Sequence, residues 1–112
     1  MEILSLLENL NCIKEYKIID YKKFTDGFYY KIQIFFTDES ILFAKEYFDL
    51  EERNYSFHWQ KNDNSLIKRW DNAPHHKNIA TFPHHKHCKD GIYESFEISL
   101  VEVLKKISQH FS

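Results

Sequence analysis

Six of the seven histidines in this chain fall between His58 and His87. They are His58, His75, His76, His84, His85 and His87, and only His110 lies outside. Imidazole is the one side chain whose unperturbed pKa sits near neutrality, so it can donate or accept a proton or bind a metal. Cations accompany these rings. Between His58 and Lys89 stand Lys61, Lys68, Arg69, Lys77, Lys86 and Lys89, against only Asp63 and Asp71. The segment is therefore basic even with neutral imidazoles, although the whole chain carries a formal net charge of −2. A local basic patch of this kind attracts phosphate without making the protein basic overall.

Two chemistries suit that inventory. In the first, one or two imidazoles act as general acid and base while Arg69 or a lysine stabilises a phosphate. Metal-independent RNA cleavage needs a base for the 2′-hydroxyl proton, an acid for the leaving 5′-oxygen and a cation for the developing charge. Asp71 could orient an imidazole. In the second, His75, His76, His84, His85 and His87 bind a divalent metal such as zinc. The spacing is poor for that purpose. Adjacent histidines diverge on an extended backbone, and neither HExxH nor paired CxxC occurs. His85 and His87, two apart, would share a face and could chelate. Two further readings need no chemistry: imidazoles tying a proline-containing loop to the fold, or aromatics stacking on RNA bases.

These residues must be positioned by the elements around them. The chain has 112 residues, 43% hydrophobic and 17% aromatic, with Gly 2 and Pro 2. That composition predicts one folded domain over residues 1–112 and gives little room for a glycine-rich phosphate loop. Cys12 and Cys88 lie too far apart for a CxxC motif. No basic start or cleavage site marks an N-terminal signal, and no apolar run approaches ~18 residues. The expectation is a cytoplasmic protein with no membrane span.

The periodicity predicts a short amphipathic helix over Met1 to Leu10, with Ile3, Leu6, Leu7 and Leu10 on one face. Ile13 to Asp20 is ambiguous and fits a strand leading to the turn at Thr25-Asp26-Gly27. Phe28 to Thr37 alternates with period two, the mark of a strand with one buried face. Ile41 to Phe48, Arg53 to Gln60 and Ser65 to Asp71 follow as strands joined by short polar turns, so an antiparallel meander is the economical topology. Tyr55, Phe57 and Trp59 belong to the core. With Lys61 to Asn64 as a four-residue turn, His58 is expected to face Ile67, with Arg69 diagonal to it or opposite Ser56. Asn72 to Cys88 reads as irregular, punctuated by Pro74 and Pro83. Ile92 to Ile98 reads as an edge strand. Ser99 to Phe111 reads as a helix, opened by a Ser99/Glu102 capping box and striped by Leu100, Val103, Leu104, Ile107 and Phe111. The fold class is α+β: an antiparallel β-meander sheet with an N-terminal and a C-terminal helix and a histidine-rich irregular loop.

Three stretches together resemble the TumE family: Tyr55-Ser-Phe-His58-Trp59-Gln60, Arg69-Trp70-Asp71-Asn72-Ala73-Pro74-His75-His76 and Phe82-Pro83-His84-His85-Lys86-His87. The hairpin from Asp26-Gly27 through Glu46-Tyr47 and the closing Ser99 to Ile107 helix are similar to that family's layout too. Lys77-Asn78 and Cys88-Lys89 depart from it where variation is expected. The family comprises small bacterial and archaeal proteins, formerly a domain of unknown function, identified as toxins of type II toxin–antitoxin pairs. The resemblance implies an antitoxin that binds and neutralises the chain; homo-oligomerisation stays open. Small toxins of this kind frequently attack RNA, so the analogy adds weight to a metal-independent endoribonuclease with an RNA substrate and no cofactor. His58 and His85 are then the acid–base candidates, with His84 and His87 in reserve. Arg69 and Lys86 stabilise the phosphate, and Asp71 orients an imidazole. Lys68, His75, His76 and Lys77 contact substrate. The rivals are a histidine-ligated metal enzyme and a non-catalytic binding or regulatory module.

Overall fold

The computed structural model describes residues 2–74 and 79–111. The amphipathic start folds as helix α1 (Glu2–Asn9) and leads into strand β1 (Ile13–Phe24). Strands β2 (Gly27–Phe36), β3 (Ile41–Phe48), β4 (Arg53–Gln60), β5 (Leu66–Asp71), β6 (His85–Cys88) and β7 (Gly91–Glu94) follow, and helix α2 (Leu100–His110) closes the chain. Every strand pairs antiparallel with the next, so the spatial order of the sheet is the chain order. Short polar turns leave the strands from β1 to β5 no other easy partner, and β6 returns after a longer connection to pair with β5. The fold is the expected α+β meander with a helix at each end.

Alternation decides which face is buried. Ile32, Ile34 and Phe36 of β2, Leu42 and Ala44 of β3, Tyr55, Phe57 and Trp59 of β4, and Trp70 of β5 all point to one face and are buried there. The apolar stripe of α2, Leu100, Val103, Leu104 and Ile107, seals that face, and Leu7 of α1 joins the same core. Burying one side chain of Phe57's size stabilises the fold by about 1.5–3 kcal/mol. The capping box forms as expected: Ser99 Oγ accepts from the Glu102 N–H, and the Glu102 carboxylate accepts from the Ser99 N–H. Arg53 ties the approach to α2 onto the sheet, donating from Nη2 to the Ile98 carbonyl at 2.8 Å and from Nε to Glu46. At the far end, a Cβ on Gly27 would collide with the Phe48 carbonyl oxygen. Only glycine lets β3 approach so closely.

The ambiguous Ile13 to Asp20 stretch proves to be strand, and it runs on to Phe24. Three other expectations are corrected. The β4–β5 turn closes one residue tighter than expected, with the Lys61 N–H donating to the Ser65 carbonyl at 2.9 Å and Asn64 taking a left-handed φ of 72°. Ile67 is then an extra residue in β5, because Gln60 pairs with Leu66 while Trp59 pairs with Lys68. Each change moves the register by one residue. Together they place Arg69, not Ile67, opposite His58, and Asp71, not Arg69, opposite Ser56. A slip of one would have turned the side chains to the wrong face; a slip of two keeps the face and changes the partner.

Residues expected to stay irregular also form structure, since His85–Cys88 is strand β6 paired to β5. His-Lys-His-Cys shows no apolar alternation, so only the open edge of β5 reveals it as a strand. Lastly, β7 ends at Glu94 rather than reaching Ile98. Ser95 turns away, its N–H donating to Thr81 Oγ1 at 2.9 Å.

Candidate active site

Strands β4, β5 and β6 present their polar side chains on the face opposite the helices. The register aligns His58 with Arg69 and Arg69 with His87. Paired strands lie about 4.8 Å apart, so two imidazoles flank one guanidinium with roughly 10 Å between their backbones. A second row behind the first aligns Ser56, Asp71 and His85. Strand alternation alone puts these residues on one side, because 56 and 58, 69 and 71, and 85 and 87 are each two apart.

Asp71 is the hub. Its Oδ1 lies 2.8 Å from His85 Nε2 and accepts the Ala73 N–H at 3.0 Å. Its Oδ2 accepts from Arg69 Nε at 3.0 Å and lies 3.4 Å from His87 Nε2. The side chain is only 6% exposed, yet each oxygen accepts a hydrogen bond, Oδ1 from Ala73 and Oδ2 from Arg69, as a buried carboxylate requires. His85 is buried as well. Its Nδ1 lies 2.9 Å from the Pro83 carbonyl oxygen, which can only accept, so Nδ1 carries hydrogen. Its Nε2 faces a carboxylate oxygen, another acceptor. The His85 and His87 rings meet edge to face with centroids 4.8 Å apart, so the buried ring also supports the more exposed one.

His58 has a defined tautomer. Arg69 Nη1, which can only donate, lies 3.4 Å from His58 Nδ1, so that nitrogen offers its lone pair. Nε2 then carries the hydrogen and donates to Gln60 Oε1 at 3.1 Å. Burial, with the Arg69 charge added to it, holds the His58 imidazole below its ordinary value. The ring is thus neutral near pH 7, with Nδ1 as its basic atom.

The structure gathers His58, Arg69, Asp71, His85 and His87. It sends other candidates elsewhere. His84 points to the helix-bearing side, its Nδ1 2.9 Å from Tyr55 Oη and its ring stacked on Tyr55. Burial pushes the Tyr55 phenol up to about 12, so it stays protonated beside His84. Lys86 aligns with Trp70 and so shares the helix-bearing side of the strand pair. It lines an open cleft of about 780 Å³ with Cys88, Asp90 and Glu94. Lys68 lies over the Trp70 ring, its Nζ 5.6 Å from the centroid. His75, His76 and Lys77 lie outside the described residues.

Two supporting groups escaped the sequence reading. Gln60, which fixes the His58 tautomer, was legible in principle, being two residues along the same strand face. The Pro83 carbonyl that fixes His85 was not, because a main-chain oxygen leaves no mark in the sequence.

Among the described residues no helix is long and apolar enough to cross a membrane. No curated protein and no solved structure matches the chain. A family model, Toxin TumE, matches residues 3–111. The chain belongs to that family.

Proposed function

We propose that this member of the TumE toxin family is a metal-independent endoribonuclease, acting in the cytoplasm and neutralised by the protein antitoxin of a type II pair. The observation that carries the reading is the row His58–Arg69–His87 across three adjacent strands, with the Arg69 side chain 39% and the His87 side chain 26% exposed. An acid and a base on either side of a cation is the arrangement that in-line attack on a phosphodiester needs.

The chemistry assigns each group a task. His58 Nδ1 takes the proton of the 2′-hydroxyl, and the 2′-oxygen attacks phosphorus. Arg69 offsets the charge that builds on the non-bridging oxygens. As the bond from phosphorus to the 5′-oxygen breaks, His87 gives that oxygen a proton. The products are a 2′,3′-cyclic phosphate and a free 5′-hydroxyl. Asp71 holds Arg69 and His87 in place, and His85 holds Asp71. The buried His85 is therefore a positioning residue, and His87 takes the acid role beside His58. The cations Lys68 and Lys86 lie on the helix-bearing side of the strands, away from this row, and are given no part in the reaction.

The test is RNA cleavage by purified protein in EDTA, with the product ends identified. Cleavage leaving cyclic phosphate is expected. His87→Ala should slow it by about 10²–10⁴-fold while leaving the melting temperature nearly unchanged. Intact RNA across a broad substrate set, with the growth phenotype surviving His58→Ala and His87→Ala, would favour a non-catalytic binding module instead.

A further inference from the structure

We propose that Asp71, His85 and His87 also form a binding site for a zinc-class divalent metal ion, and that an ion bound there silences the toxin. One ligand atom from each of the three lies within 4.8 Å of the others. Two imidazoles and a carboxylate are a donor set suited to zinc and its neighbours.

Ligand spacing is the first support. Tetrahedral zinc with bonds of about 2.1 Å sets its ligand atoms roughly 3.4 Å apart. His87 Nε2 already stands 3.4 Å from Asp71 Oδ2. His85 Nε2 stands 2.8 Å from Oδ1, so that pair must open by roughly half an ångström to admit the ion.

The outer contacts are the second support. A metal-binding imidazole usually donates its other N–H to a main-chain carbonyl or carboxylate, which fixes the tautomer and aims the lone pair. His85 Nδ1 is held on the Pro83 carbonyl in that manner. Nε2 is thereby aimed at Asp71 Oδ1, and a metal ion would sit between those two atoms. Arg69 Nε donates to Oδ2 at 3.0 Å and the Ala73 N–H to Oδ1 at 3.0 Å, which together orient the carboxylate. His85 and Asp71 are buried, whereas the His87 side chain is 26% exposed. The ion is thus reached from the His87 side.

Silencing rests on the ribonuclease reading above, because the ion and RNA cleavage compete for His87. A ring bound to metal cannot deliver a proton to the leaving oxygen. Binding of the ion stands on the geometry alone.

The experiment uses the full chain without an affinity tag, titrated with zinc chloride against a chromophoric chelator, with RNA cleavage measured in the same samples. One tightly bound zinc per chain is expected, and it should slow cleavage reversibly. His87→Gln should weaken zinc at least about tenfold, and the exposure of the ring should let that variant fold. His85→Ala serves as a second variant, scored only if its far-ultraviolet spectrum is native. His84→Gln, on the other side of the sheet, should leave zinc binding unchanged. Absence of stoichiometric zinc, or zinc that His87→Gln does not weaken, would overturn the site. Cleavage that rises with zinc would overturn silencing and the metal-independent reading together. Zinc weakened by His87→Gln in a protein that cleaves no RNA would support the site while removing the ribonuclease and silencing readings.

Discussion

The two faces of strands β4, β5 and β6 are made from alternate residues of the same short segments, yet they are built on different physics. On the helix side, Phe57, Trp59 and Trp70 fill volume beneath α2, and their contacts are non-directional. On the other side, His58, Arg69, Asp71, His85 and His87 are joined by contacts that depend on direction and proton placement. The faces also share something unexpected. Asp71 and His85 are 4% and 2% exposed, as deeply buried as Trp70 at 3%. A merely solvated sheet face does not bury a carboxylate. The polar face is thus a second organised layer, in which an inner pair, Asp71 and His85, supports an outer row of His58, Arg69 and His87.

The comparison can be broken most forcefully from the helix side. Phe57→Ala leaves a void under α2 and should cost about 3–5 kcal/mol in denaturant unfolding. Asp71→Asn asks whether the polar face is equally structural. It removes a buried charge from beneath Arg69 and His85 and should cost about 3 kcal/mol. An ordinary surface substitution stays within about 0.5 kcal/mol, so a loss that small would show the inner pair to be no support at all.

The pH profile sharpens the contrast within the outer row. Because burial and Arg69 hold His58 below its ordinary value, the base protonates late. The acid limb of cleavage should therefore fall at a pH below about 6.5. Arg69→Gln removes one of the two causes and should move that limb upward in whatever activity remains. Stability follows the same sign. The unfolded chain takes up this proton before the folded one, so the His58 contribution is full above about pH 6.5 and is lost as pH falls through the lower folded value. An acid limb above pH 6.5 in the wild-type protein would remove His58 from the role of base. The smallest effect belongs to the helix side's own histidine. Tyr55→Phe deletes the hydroxyl that meets His84 and should cost about 1 kcal/mol of stability with unchanged cleavage. Lost cleavage would tie the two faces together.

Much of this arrangement was legible. Alternation from Phe28 to Gln60 identified the strands and the buried ring row of β4, and the Ser99/Glu102 box located the start of α2. The site was legible as an inventory but not as a pairing. Arg69 meets His58 only because of a tighter turn at Lys61–Ser65 and an extra residue at Ile67; Asn64 suits the turn's left-handed position, but Ile67 does not announce a bulge. His84 and His85 are chain neighbours that end on opposite sides of the sheet, one against Tyr55 and the other against Asp71. That split follows from β6 being a strand, and nothing apolar in His-Lys-His-Cys announces one.

The amino-acid order by itself determined the period-two faces, the helical stripes and the store of imidazoles and cations, because those are local properties set by backbone geometry and residue type. Tertiary structure alone decided which imidazole meets which cation and which ring is sealed against Asp71. Those outcomes depend on hydrogen-bond register between strands, where a single bulge changes every partner downstream while leaving the local pattern the same.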